Sequence, residues 1–284
     1  MSEEKRSILL MLRTGDGQAR ALGDEIVAWL AGRRIAATLC EHNVCGGLDA
    51  CESPAGNPWD AVLVLGGDGT FIGVARACLR LGIPLLGLNL GRVGFLAEGA
   101  SDWSHRVEAL LSGNYRLSRR VCLSYAVTRG AGTVCSGVAV NDVVASRGDM
   151  ARLIRLGVSR AGERVCDMRA DGLIISTPTG STAYGNSAGG PLVHPDMQAF
   201  CLTPVCPFLN TFSPMVLPCD EELEVTVEEQ RGEVRLTIDG QLSLGLEQGD
   251  VVRVRRSPDD LHMAHTGSDS YFAKLASKGF FTQR

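Results

Sequence analysis

Three stretches of this sequence gather residue types able to handle phosphate, hydroxyl and proton. The first is LVLGGDGTF (63–71), where an apolar run ends in Gly66, Gly67, Asp68, Gly69 and Thr70. Glycines let a backbone approach a ligand closely and turn successive N–H groups toward it, and the start of a helix favours an anion. Gly67, Gly69 and Thr70 therefore read as a phosphate cradle, with Thr70 placed to cap the helix that follows. No Lys-Ser/Thr pair follows as in a Walker loop, and the spacing is not G-x-G-x-x-G. A carboxylate in such a turn repels phosphate. Asp68 makes chemical sense as a base that takes a proton from an attacking hydroxyl, or as a holder of a divalent ion. A turn of purely structural origin is the alternative.

The second stretch is RADGLIISTPTGSTAYGNSAGGP (169–191). Its apolar centre, Leu173 to Ile175, predicts a short strand, and the hydroxyl-rich STPTGST follows it. Ser181 is placed to cap a helix from Thr182 that stops at Gly189-Gly190. Hydroxyls, free N–H groups and the ring of Tyr184 at one helix start suit a sugar, a phosphate and a base together. A plain polar loop is the alternative. The third stretch, VAVNDVVASRGD (138–149), sets Asn141 and Asp142 inside an apolar run. An amide beside a carboxylate there suits a ligand's hydroxyl or amino groups, and a structural bulge suits it equally.

These groups need elements to position them. Ser7 to Leu12 predicts a strand, and Leu22, Ile26, Trp29 and Leu30 give the stripe of an amphipathic helix after Asp16. Arg34 to Cys40, Ala61 to Leu65 and the GIPLLGLNLG stretch predict further strands, with a helix over Phe71 to Leu81. Strands alternating with helices imply a parallel sheet covered on both faces. Beyond Leu117 the pattern changes to strands joined by glycine turns at Arg231-Gly232, Asp239-Gly240 and Gln248-Gly249. The expected fold is thus a Rossmann-like α/β unit over 1–116, a β-rich antiparallel, sandwich-like unit over 117–258, and a C-terminal segment (259–284) with a short helix rejoining the first unit.

Composition narrows the partners. With 284 residues and 45% apolar content the chain can bury a large core. A net charge of -4 argues against non-specific nucleic-acid binding. No apolar run approaches the roughly 18 residues of a membrane span, and Arg13 breaks the opening apolar run, unlike a signal peptide. A cytoplasmic protein is expected. The ten cysteines are scattered rather than set in a disulfide framework; Cys78, Cys122, Cys135 and Cys166 read as free thiols in apolar surroundings, and the cluster Cys40, His42, Cys45 and Cys51 lacks the C-x2-C pair of common zinc sites. His194 reads as a surface residue and Arg119-Arg120 as the crossing between domains.

Taken together, GGDGT (66–70), ND (141–142) and TPTGSTAYGNSAGGP (177–191) resemble the hallmarks of the NAD kinases, also called ATP-NAD kinases. LNLGRVGFLAE (88–98), IDGQ (238–241) and SYFAKLASK (270–278) extend the resemblance over most of the chain. The GGDGT turn is shared with diacylglycerol-type lipid kinases, whereas the TPTGSTAY block is strongly specific. The resemblance implies an active site between the two domains. It implies transfer of the γ-phosphoryl group of ATP, or of polyphosphate, to the 2′-hydroxyl of the adenosine ribose of NAD. By the same matching Asp68 is the proton acceptor, and Asn141 and Asp142 hold NAD. Arg152, Arg169 and Asp171 lie around the nucleotide, with Thr182, Ala183, Tyr184, Gly185, Asn186, Ser187 and Gln241 completing the pocket. Family members use a divalent cation, usually magnesium, and assemble as homodimers or homotetramers. The metal ligands are not readable from the motifs.

The sequence departs from the family pattern in three places. Asn-Glu becomes Asn141-Asp142, Gly185 and Asn186 precede Ser187, and PFLNTFSP (207–214) puts Phe208 and Ser213 where a His and an Arg are common. The competing readings are a catalytically silent nucleotide-binding regulator and a lipid kinase. The first is opposed by the intact Asp68, the second by the acidic balance.

Overall fold

A computed structural model describes residues 6–42, 51, 58–92, 94–148, 152–210, 212–230, 232–267 and 270–281. The chain divides into two compact units, Met1–Ser118 with His262–Arg284, and Arg119–Leu261.

The first unit is built on parallel strands. β1 (Ser7–Arg13) lies between β2 (Ala36–His42) and β3 (Ala61–Leu65), and β3 pairs in turn with β4 (Leu85–Asn89). Strand Leu261–His265 continues the sheet beside β4. Every residue of β3 and β4 is buried, as expected where both faces of a parallel sheet are covered. Helix α1 (Gly17–Ala31) is capped by Asp16, whose carboxylate accepts from the Ala19 N–H, and it buries Ala19, Ile26 and Leu30. Leu22 and Trp29 of the anticipated stripe are half-buried and pack on the same core. β2 begins two residues later than expected because Arg34 lies in the left-handed region (φ 62°), which belongs to a turn.

In the second unit two six-stranded antiparallel sheets share one core. Tyr125, Val127, Leu156 and Val225 from one sheet pack with Val143, Leu173, Phe200 and Leu236 from the other. This is a β-sandwich, and the alternating burial of strand Leu223–Glu229 shows one face turned inward. The Asp239-Gly240 turn joins strands Val234–Ile238 and Leu242–Leu246 with positive φ at both residues (52° and 65°), the backbone a tight hairpin requires. Gly249 also has positive φ, whereas Arg231 lies outside the described residues.

Cys78, Cys122, Cys135 and Cys166 are free thiols as expected, but one pair departs from expectation. Cys40 on β2 and Cys51 are joined by a disulfide, and Cys45 lies outside the described residues. Cys78 and Cys122 are buried free thiols, and burial pushes both up to about 12, which makes them inert. No helix among the described residues is long and apolar enough to cross a membrane.

Candidate active site

The glycine turn follows β3 at the carboxyl edge of the parallel sheet, where ligands of such sheets bind. Helix α2 (Asp68–Cys78) starts at Asp68 itself, with Gly67 at the cap position. Thr70 therefore lies inside the first helical turn and caps nothing, contrary to expectation. The helix begins earlier because Gly66 adopts φ 152°, and a methyl there would strike the Thr70 side chain.

Asp68 is held by three backbone donors from a distant loop. Its Oδ2 accepts from the Phe95 N–H (2.7 Å), and its Oδ1 accepts from Leu96 (3.1 Å) and Ala97 (3.2 Å). Each carboxylate oxygen carries two lone pairs, so Oδ2 keeps one acceptor position while the group is anchored. A negative charge in the first turn of α2 is also favoured by the helix dipole. A methyl at Gly94 would overlap the Asp68 carboxylate, which explains the glycine at this point of LNLGRVGFLAE. Asn89 shapes the start of the same loop, donating to the Arg92 carbonyl and accepting from the Gly91 N–H.

The second unit assembles a different cluster. Asn141 and Asp142 do not interrupt one strand. Strand Gly132–Ala139 ends before them and strand Asp142–Arg147, in the other sheet, begins there, so they turn the corner of the sandwich. The carboxylate of Asp239 secures this corner by accepting from the N–H groups of Val140, Asn141 (2.7 Å) and Asp142. Thr177 braces it from the other side, its hydroxyl donating to the Val140 carbonyl (2.8 Å) and its N–H to that of Asn141. Three motifs far apart in sequence thus meet at one corner.

The hydroxyl-rich stretch is also arranged differently from expectation. Ser181 caps no helix. It is buried, donates to the Pro178 carbonyl (2.7 Å) and accepts from the Val193 N–H. Gly180–Thr182 is a short 3-10 turn, and the helix proper covers only Tyr184–Ser187 before Gly189 turns left-handed at φ 83°. Glycine-rich sequence and few positions for a long stripe keep this helix short. Thr182 bonds back to Thr179, Gly185 is buried, and Tyr184 is exposed. Gly180 lies so close to Asn141 that a methyl would overlap the Asn141 carbonyl. Gly180→Ala is expected to lower stability by about 1–3 kcal/mol through that backbone clash, read as a drop in Tm by calorimetry.

Several buried polar side-chain atoms here lack partners among the described residues, two of them at Asn141 and Thr179. The Oδ1 of Asn141 and Oγ1 of Thr179 make no hydrogen bond. An unmet buried polar atom costs about 1–3 kcal/mol, which a ligand's donor groups would recover. Asp142 is 4% exposed. Burial, reinforced by the charge of Asp239, pushes it up to about 7.

Arg152 and Arg169 line one groove with Leu153, Arg155 and Glu229. A neighbouring hollow adds Asp167, Met168 and Phe208, so the altered PFLNTFSP segment reaches the same surface. Asp171 is paired with Arg147 at 2.6 Å, and Gln241 closes the hairpin turn through its N–H to Ile238. His194 is exposed and Arg120 pairs with Asp196 at 3.2 Å. Asp239, Thr177, Gly94 and the N–H groups of 95–97 escaped the sequence reading. IDGQ and LNLGRVGFLAE marked their neighbourhoods, but a backbone donor leaves no signature in residue identity.

One unit thus carries a glycine turn and a seated carboxylate at the edge of a parallel sheet, and the other a buried polar corner of a sandwich, an inventory suited to a phosphate-bearing ligand. Residues 23–114 match the model of the ATP-NAD kinase N-terminal domain, and residues 140–266 that of the ATP-NAD kinase C-terminal domain. The chain belongs to the NAD kinase family. It is 49% identical to the NAD kinase of Nitratidesulfovibrio vulgaris (strain DSM 19637 / Miyazaki F), over 97% of this chain and 96% of that one. It is 38% identical to the NAD kinase of Geobacter sulfurreducens over 96% of this chain and 98% of that one. The fold is also that of yeast NADH kinase in complex with NADH (TM-score 0.85, 20% identity), covering 100% of this chain and 89% of that one. An NAD kinase from Archaeoglobus fulgidus in complex with ATP superposes with a TM-score of 0.74 at 23% identity, covering 96% and 98%.

Proposed function

We propose that this chain transfers the γ-phosphoryl group of ATP to the 2′-hydroxyl of the adenosine ribose of NAD, giving NADP and ADP. The observation that carries the chemical assignment is the seat of Asp68, fixed by three N–H donors with an acceptor position left on Oδ2. In this reading the 2′-hydroxyl gives its proton to Oδ2 as its oxygen bonds to the γ-phosphorus. The bond from that phosphorus to the β–γ bridging oxygen breaks, and the proton later passes to water.

Asn141 and Asp142 hold the acceptor nucleotide, the unmet Oδ1 of Asn141 taking a donor from it. Gly67, Gly69 and Thr70, at the start of α2, receive phosphate oxygens. Thr182 to Ser187, with Gln241, line the nucleotide, Arg152 and Arg169 balance its charge from their shared groove, and Asp171, paired with Arg147, completes the surroundings. ATP is taken as its magnesium salt. Its phosphate oxygens are the main ligands of the ion in this reading. The ion's contribution is to neutralise phosphate charge.

The working form in this reading is a homo-oligomer in the cytoplasm. The test is NADP formation by the purified chain with NAD and either magnesium-ATP or polyphosphate. Turnover with ATP is expected. Binding of NAD without turnover on either donor would overturn the enzymatic reading in favour of a silent regulator.

A further inference from the structure

The loop that seats Asp68 is itself held by the C-terminal end of the chain. Phe95, whose N–H grips Asp68 Oδ2, offers its carbonyl to the Lys274 ammonium of helix Tyr271–Ser277 at 3.0 Å. Its ring meets Phe280 edge-to-face, with centroids 5.5 Å apart. Just beyond the three donors, the carboxylate of Glu98 accepts from the hydroxyl of Thr266 (2.6 Å) and its N–H (3.1 Å), and from the Gly267 N–H (3.3 Å). Arg106 closes this second anchor by pairing with Glu98 and donating to the Gly99 carbonyl at 2.9 Å. Residues 95–97 are therefore suspended between two attachments, at Phe95 and at Glu98, both to segment 266–280.

We propose that the C-terminal segment is a positioning element for phosphoryl transfer, with Lys274 as its main contact. By holding the Phe95 peptide, Lys274 aims the Phe95, Leu96 and Ala97 N–H groups and so fixes the angle at which Asp68 presents its open acceptor position. The inference rests on the assignment of Asp68 as proton acceptor. In this account Lys274 is a positioning residue and not a catalytic one. It acts through one carbonyl, and charge assistance makes that hydrogen bond stronger than a neutral one. A loop set loose by even an ångström can cost about a hundredfold in rate while leaving nucleotide binding intact.

The experiment compares wild type with Lys274→Met, Lys274→Arg, Phe280→Leu and Asp68→Asn. For each, kcat, KM for NAD and for ATP, Tm and the amide proton shifts of Phe95, Leu96 and Ala97 are measured. Lys274→Met is expected to lower kcat about tenfold to a hundredfold with both KM values within twofold. Its three amide protons are expected to move upfield as their bonds to Asp68 loosen. Lys274→Arg, which still donates to the carbonyl, restores most of kcat, and Phe280→Leu gives a smaller loss of the same kind. Wild-type kcat in Lys274→Met, or unmoved amide shifts, would overturn the proposal. A kcat loss that follows Tm and is not rescued by Arg does the same. Should Lys274→Met fail to fold, Phe280→Leu and Lys274→Arg decide through the same kcat and amide readouts. Near-normal turnover in Asp68→Asn would instead sink the underlying assignment of Asp68, a separate outcome from any failure of Lys274.

Discussion

Asp68→Asn is expected to reduce kcat for NADP formation by about a thousandfold while NAD binding, followed by calorimetry, changes by no more than a few-fold. A positioned general base contributes roughly 10²–10⁴ in rate, and the amide oxygen of Asn cannot take the proton of the 2′-hydroxyl. The structure adds a second reason. Three N–H groups converge on the carboxylate, and an amide presents one oxygen to them, setting its own NH2 against at least one donor. The loop over 95–97 is then expected to loosen, which a fall in Tm would register. If kcat held within tenfold of wild type, Asp68 would be a structural anchor for the loop, and the proton would leave by another route.

Asp142→Asn is expected to trade function for stability. Its carboxyl is pushed up to about 7 by burial and by the neighbouring charge of Asp239. A carboxyl that titrates higher folded than unfolded binds more protons in the native state across that interval. Stability therefore falls as pH rises from about 4 toward 7, and the penalty is complete above 7. Removing the charge should stabilise the protein at pH 8 by roughly 2–4 kcal/mol, since each tenfold change in proton affinity is worth about 1.4 kcal/mol, and do little at pH 4. Thermal melts at the two pH values check the sign. KM for NAD at pH 8 is expected to rise about tenfold, because an amide offers one acceptor where an ionised carboxylate offers two. An Asn variant no more stable than wild type at pH 8 would mean that solvent reaches this corner and relieves the burial.

Much of the molecule is legible in the sequence. The uninterrupted apolar runs of β1, β3 and β4 read as buried parallel strands because a sheet covered on both faces tolerates no polar side. The alternation in Leu223–Glu229 reads as a sandwich strand for the converse reason. Local chemistry is less secure. Thr70 and Ser181 are both residue types that cap helices, yet neither does. A hydroxyl accepts or donates to whichever backbone group folding brings nearest, and for Ser181 that partner includes Val193 rather than a helix start. The pair Asn141-Asp142 reads as an interruption within one strand because composition cannot show a chain changing sheets.

What the sequence by itself determined was the class of chemistry: a glycine turn with a carboxylate, an amide-acid pair and a hydroxyl block, in an order that one family uses. What only the tertiary structure decided was which of these groups support one another. Asp68 and Phe95 are 27 positions apart, Asn141 and Asp239 are 98, and Lys274 and Phe95 are 179. In each contact one partner is a backbone N–H or carbonyl, a group that nearly every residue carries. Side-chain identity announces which atoms can react, whereas the backbone groups that hold them are the same everywhere along the chain. Only their placement by the packed sheets gives them meaning.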